Sequence, residues 1–137
     1  MLNEQQHLQK VKSNSKFLDL IQDGDFYDWI IVVCFYIQLH YVDAYILKMG
    51  HNPPLSHEDR FHLINSIINS RKSGCDQLKD VMKYYHETYT WSKRARYTSS
   101  SNLRSDDALK RGKIKDFIND STITVPGKLS YPTCPEL

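Results

Sequence analysis

The chain has 137 residues, a length typical of one domain, with 40% hydrophobic and 25% charged residues. Its net charge of +2 is too small to indicate a nucleic-acid binder, and its three widely spaced cysteines argue against a disulfide framework or a thiolate metal site. The charge is uneven, because residues 1–70 carry a net −3 and residues 71–116 a net +6. A basic half is typical of polyanion binding, but a solvated helix face has the same composition.

Apolar residues recur at helical spacing in five segments, and short polar or proline-containing breaks separate them. The predicted helices span residues 3–21, 26–49, 57–71, 76–97 and 105–119. We therefore expect an all-α protein, a compact up-and-down bundle of four to five helices formed by residues 1–120. The tail, residues 121–137, contains three prolines and is expected to be extended or partly disordered.

The second predicted helix, residues 26–49, is apolar on every side. Its longest uncharged apolar stretch, from Trp29 to Val42, is shorter than the roughly 20 residues that cross a bilayer, so we expect a core helix and no membrane segment. A helix that is apolar on every side must be covered on every side by protein, and the other four predicted helices are few for this purpose. We expect a homodimer through this helix. The polar N-terminus and the unpaired cysteines favour a cytoplasmic location.

One polar pair interrupts this apolar helix, His40 and Asp43 at positions i and i+3. Burying an unpaired carboxylate costs several kcal/mol, so Asp43 is expected to have a cationic or hydrogen-bonding partner. Helical projection places Arg60 and Arg96 on core-facing stripes of the next two helices. We predict a polar cluster where three helices converge, either an ion-pair network that sets helix register or a ligand pocket. The proposed members are His40, Asp43, His57, Arg60, Arg96 and Tyr97.

An ordered set of short segments in this region resembles prokaryotic proteins of the HEPN superfamily. The segments are DWIIVVCFY at 28–36, LHYVDAY at 39–45, GHNP at 50–53, SHEDR at 56–60 and SKRARY at 92–97. The resemblance covers roughly residues 25–97 and implies a compact bundle of four to five helices, often a homodimer. Many members of that superfamily are RNases of toxin–antitoxin or defence systems, and others bind RNA or nucleotides without catalysis.

The motif of the nucleases in that superfamily is missing from this chain. In those enzymes an arginine is followed four to six residues later by a histidine, and no arginine here has a histidine at that distance. Arg94 and Arg96 lie roughly where the arginine of the motif would fall, but residues 98–102 contain no histidine. The resemblance therefore implies binding of RNA or a nucleotide without efficient catalysis.

The expected ligand groove is lined by the polar cluster, with Lys93 and Arg94 contacting phosphate. Two alternatives remain open. One is a metal-independent RNase with a rearranged pair, in which Arg96 and His57 are the candidate catalytic residues and histidine acts as general acid and base. The other is a structural, antitoxin-like subunit that acts through its dimer face and has an inert pocket. No cofactor or metal is expected, since His57 and His62 lie about 140° apart around their helix and cannot share an ion.

Overall fold

The computed structural model describes residues 1–70, 76–97 and 111–131. Helices and no strands are found among these residues, which confirms the predicted all-α bundle. The elements are α1 (Glu4–Ile21), α2 (Tyr27–Lys48), α3 (His57–Ser70), α4 (Asp76–Tyr97), α5 (Arg111–Asn119), a π-helical turn (Asp120–Thr124) and α6 (Val125–Lys128). Residues 105–110, where the fifth helix was predicted to begin, lie outside the described residues.

Local chemistry accounts for several of the helix ends. A capping box starts α1, because Asn3 Oδ1 accepts from the backbone N–H of Gln6 while the Gln6 side chain accepts from the N–H of Asn3. After α2, Gly50 has φ +90°, a left-handed conformation in which glycine avoids a Cβ clash. The hydroxyl of Ser56 accepts from the N–H of Asp59 and caps α3.

The central element is α2, which packs against α1 and α4. By length and composition alone it could cross a membrane, but 72% of its most apolar window is buried in the bundle, as is typical of a core helix. One side is only partly covered. Trp29 is 62% exposed, and Val32, Tyr36 and His40 are half-buried. The expectation that α2 is surrounded on all sides is therefore met in the middle of the helix but not along this stripe or at the helix ends.

A buried amide ties α2 to the elements behind it. Gln38 has no solvent exposure, and its Nε2 donates to the hydroxyls of Thr88 on α4 and Ser121 in the π-helical turn, each at 2.9 Å. Buried amides are costly unless they are hydrogen-bonded, so these two contacts specify how α4 and the turn sit against α2.

The expectation of an extended or partly disordered tail over residues 121–137 is wrong for residues 121–131. The π-helical turn and α6 pack onto the bundle, and Val125 and Leu129, at i and i+4, both belong to the buried core. Pro126 stands at the start of α6, directly after the π-helical turn, and proline is most common at the first positions of a helix. Beyond α6, the hydroxyl of Tyr131 donates to Glu4 Oε2 at 3.0 Å and links this segment to α1. Residues 132–137 lie outside the described part of the chain.

This packing predicts that the segment contributes to stability. Leu129 is 2% exposed, so Leu129→Ala is expected to lower the free energy of unfolding by about 2–4 kcal/mol through lost burial and a residual cavity. Urea unfolding followed by circular dichroism measures this change. The control is Ile123→Ala in the neighbouring turn, where the side chain is 49% exposed and a change within about 0.5 kcal/mol is expected. Equal effects of the two variants would contradict the packing.

Candidate functional site

The partner of Asp43 is Arg60, as the cost of burying a lone carboxylate predicted. Nε of Arg60 donates to Oδ1 at 2.7 Å and Nη2 donates to Oδ2 at 3.1 Å, a bidentate contact between α2 and α3. Nη2 also donates to the carbonyl of Pro54 at 2.9 Å. Burial raises the pKa of Asp43, while the hydrogen bonds and charge of Arg60 act in the opposite direction. Bidentate geometry is that of an ionised pair, and both residues are buried.

His57 and Tyr85 extend this pair towards α4. Nδ1 of His57 lies 3.2 Å from Nη1 of Arg60 and 3.1 Å from the hydroxyl of Tyr85. Because a guanidinium can only donate, Nδ1 accepts, and the imidazole is neutral with its proton on Nε2. Burial lowers the pKa of His57, and the charges of Arg60 and Arg96 lower it further. We call Asp43, Arg60, His57 and Tyr85 the buried network.

A second polar contact, which the sequence reasoning missed, joins α1 to α2. Nδ1 of His7 lies 3.0 Å from Nδ1 of His40, so one ring donates and the other accepts. Burial, followed by the charges of His7, Lys10 and Arg60, lowers the pKa of His40 to about 4. His7 lies four residues before the buried Val11 on one face of α1. This spacing is the feature of the sequence that could have predicted a core-facing His7.

Arg96 donates hydrogen bonds to residues outside the buried network. Its Nη1 donates to the hydroxyl of Tyr36 at 3.2 Å and its Nε to the carbonyl of Ser92 at 3.4 Å. The ring of Phe35 contacts both groups of residues: its centroid is 5.2 Å from that of His57 and 5.8 Å from the guanidinium carbon of Arg96. Phe35 thus contacts one residue of the buried network and also Arg96.

The other two predicted cations lie on the surface of α4. Lys93 and Arg94 are both exposed. The guanidinium carbon of Arg94 lies 4.3 Å from the centroid of the Trp91 ring, a cation–π contact. The backbone of Tyr97 ends α4, and its side chain lies outside the described residues.

A surface cleft of about 490 Å³ opens beside Arg96, between the start of α2 and the end of α4. Its walls combine aromatic, aliphatic, acidic and basic side chains, and its volume falls in the range of small-molecule sites. The lining residues are Asp28, Trp29, Val32, Tyr36, Ala95 and Arg96. We call it the Trp29–Arg96 cleft. Only Arg96 of this set was predicted as a site residue, because the aromatic positions of α2 fit a core stripe equally well.

Another cleft, of about 460 Å³, lies between α1, the end of α2 and Tyr131, and two of its charged groups already contact Tyr131. Glu4 accepts from the hydroxyl of Tyr131, and the ammonium of Lys48 lies 5.5 Å from the centroid of the same ring. Within the described ranges, no group of three or more His, Cys, Asp or Glu side chains could hold a metal ion.

No family model matches this chain, and neither a curated protein nor a solved structure is significantly similar to it. The HEPN resemblance therefore stays a prediction from the sequence segments.

Proposed function

We propose that this protein is a HEPN-like module that binds RNA or a nucleotide in the Trp29–Arg96 cleft, without efficient catalysis. The observation that carries the proposal is an exposed indole beside an arginine in one cleft. On the basis of the resemblance to the HEPN superfamily, the proposal also includes a role in a toxin–antitoxin or defence system and a homodimer formed through α2.

The two key side chains suit the two halves of a nucleotide. A base stacks on an exposed aromatic face with a gain of about 1–3 kcal/mol, and Trp29 presents such a face. Arg96 supplies charge and planar donors for phosphate, and its contacts with Tyr36 and Ser92 hold its orientation before a ligand arrives. Lys93 and Arg94 extend the basic surface along the last turns of α4 for further phosphates.

The buried network supports the fold better than it supports binding. Asp43 and Arg60 are 5% and 4% exposed and satisfy each other. A ligand that reached them would have to break a desolvated bidentate pair, which is costly. We therefore assign Asp43, Arg60 and His57 to helix register and place ligand binding at the cleft.

The position of His57 argues for binding over cleavage. A general base must come within hydrogen-bond reach of the 2′-hydroxyl that it deprotonates. Here the His57 ring lies against Phe35, whose ring also contacts Arg96, and its Nδ1 is occupied by Arg60 and Tyr85. An RNase that used Nδ1 of His57 as its base would have to release that atom from Arg60 and Tyr85.

Fluorescence anisotropy with a labelled single-stranded RNA tests the proposal. If Arg96, Lys93 and Arg94 contact phosphates, affinity is expected to fall about 20-fold between 50 and 200 mM salt through counterion release. Arg96→Ala is expected to weaken binding at least ~10-fold. Lys83→Ala removes the same charge from an exposed position about 20 Å away along α4 and serves as the matched control. Its affinity is expected to stay within about twofold of the unmodified protein.

Other results would point to the remaining hypotheses. Binding that is unchanged by both Arg96→Ala and Trp29→Ala would contradict the assignment of the cleft. Metal-independent cleavage that is lost in Arg96→Ala would favour the RNase. A stable dimer with no affinity for RNA or nucleotides at 50 mM salt would favour the structural subunit.

A further inference from the structure

The cleft between α1, the end of α2 and Tyr131 has different chemistry at its two ends. We call it the Glu4–Lys12 cleft, after two residues of α1 that line it. At one end, Glu4 accepts from the hydroxyl of Tyr131, and the ammonium of Lys48 lies over the same ring. Lys12 comes eight residues after Glu4 in the helix, which places it about 12 Å further along the helix axis. Lys12 therefore stands towards the other end of the cleft.

Lys12 is a half-buried cation without an acidic partner. Among the described residues, its ammonium has no hydrogen bond and no ion pair. Glu4 is the acid among the described lining residues, and it lies two helical turns away in contact with Tyr131. An ammonium that lines a cleft with no carboxylate beside it suits an anionic group of a ligand.

Two amides lie between these ends. Gln5 and Gln9, at i and i+4, share one side of α1, and both line the cleft. Neither side chain has a hydrogen bond with another described residue, so each offers donors and an acceptor to a ligand. Tyr131 donates to Oε2 of Glu4, which leaves Oε1 as a further acceptor. Amides and a carboxylate suit hydroxyl groups, because a hydroxyl both donates and accepts.

We propose that the Glu4–Lys12 cleft is a second binding site, which takes a small phosphorylated sugar. Its phosphate contacts Lys12, and its hydroxyls contact the amides of Gln5 and Gln9 and Oε1 of Glu4. A phosphate carries a charge of about −1.5 to −2 at pH 7, so it is a stronger partner for one lysine than a carboxylate is. The cleft volume of about 460 Å³ falls in the range of small-molecule sites. This inference does not depend on the function proposed for the Trp29–Arg96 cleft.

Calorimetric titration of the whole protein with glucose 6-phosphate, glucose, inorganic phosphate and glucuronate tests this inference. Glucose 6-phosphate is expected to bind at least ~10-fold more tightly than glucose or inorganic phosphate, because it alone combines the charge with the hydroxyls. Glucuronate carries a carboxylate in place of the phosphate group, and its affinity is expected to be about 3- to 10-fold lower than that of glucose 6-phosphate. These comparisons use one unmodified protein and do not depend on the folding of a variant.

Lys12→Met provides the complementary test. It removes the ammonium and keeps an unbranched side chain, and it is expected to weaken the binding of glucose 6-phosphate at least ~10-fold. Lys16→Met is the matched control, since it removes the same charge from an exposed position one turn further along α1. Its affinity is expected to stay within about twofold of the unmodified protein, as is that of Arg96→Ala, which changes the other cleft.

The possible failures are distinguishable. No measurable affinity for glucose 6-phosphate would overturn the second site and leave the proposed binding of RNA or a nucleotide standing. Equal affinity for glucose 6-phosphate and inorganic phosphate would overturn the recognition of the sugar, and equal affinity for glucuronate would overturn the choice of phosphate. Binding that is kept in Lys12→Met and lost in Arg96→Ala would place the sugar phosphate in the Trp29–Arg96 cleft and contradict the inference.

Discussion

Replacing Arg60 with methionine is expected to lower the free energy of unfolding by about 3–5 kcal/mol. The substitution leaves the Asp43 carboxylate buried without its bidentate partner, and it also removes the donors to the Pro54 carbonyl and to Nδ1 of His57. Urea unfolding at pH 7 measures the loss. Lys83→Met, which removes an exposed cation, is the control and is expected to change stability by less than about 0.5 kcal/mol.

A double variant tests whether the pair serves the fold alone. Asp43→Leu combined with Arg60→Met replaces the ion pair with apolar side chains, and such replacements are often neutral or stabilising. We expect it to recover most of the stability lost in Arg60→Met and to bind RNA as the unmodified protein does. Recovered stability with lost binding would instead place the buried network in the ligand site. A single variant that is destabilised by less than about 1 kcal/mol would show that Asp43 finds another partner.

Acidification is expected to weaken the fold through His40. Its pKa is lowered to about 4 from an ordinary value of 6.5, so between these pH values the unfolded chain takes up the proton more readily. The stability contributed by the neutral imidazole is present above pH 6.5 and is lost as the pH falls towards 4. Because the ring is only partly buried, we discount the full shift and expect a loss of about 2 kcal/mol between pH 7 and pH 4.5.

Other groups titrate in the same window, so the measurement is a difference between proteins. The pKa of Asp120 is raised to about 6 by burial and by Glu87 and Asp116, and this stabilises the fold as the pH falls. Comparing the unmodified protein with His40→Gln at each pH cancels the contributions of groups such as Asp120 that do not contact His40, so the difference reports on His40 together with His7, whose ring it contacts. The free energy of unfolding of the unmodified protein, minus that of His40→Gln, is expected to fall by about 2 kcal/mol on acidification. His62→Gln, on the exposed side of α3, is the control and should track the unmodified protein.

Much of the fold was predictable because helices depend on local spacing. The period of the apolar residues located the first four helices to within about two residues of their observed ends. Gly50 and Ser56 marked two boundaries through backbone conformation and capping, both of which act within one helical turn. The partner of Asp43 was also predictable in kind, since the cost of burying a lone carboxylate depends little on the details of packing.

The candidate site was less predictable, because its geometry depends on how helices rotate against one another. Projection placed Arg60 and Arg96 on core-facing stripes but could not show that Arg60 contacts Asp43 while Arg96 contacts Tyr36. The same pattern could not separate Trp29, which is 62% exposed, from apolar neighbours that are fully buried. The packing of residues 120–131 was not predicted, because this segment has few apolar residues at helical spacing. They are buried only when the segment packs against Gln38 and α4.

The amino-acid sequence by itself determined that this chain is a helical bundle around one apolar helix, and that a carboxylate on this helix must be neutralised. Both conclusions follow from the helical repeat and from the free energy of transfer out of water, which act residue by residue. Only the tertiary structure decided which arginine satisfies the carboxylate and which one lines an open cleft beside Trp29. That choice depends on distances of a few ångströms between residues that are far apart in the chain, and those distances are set by the packing of all the helices together.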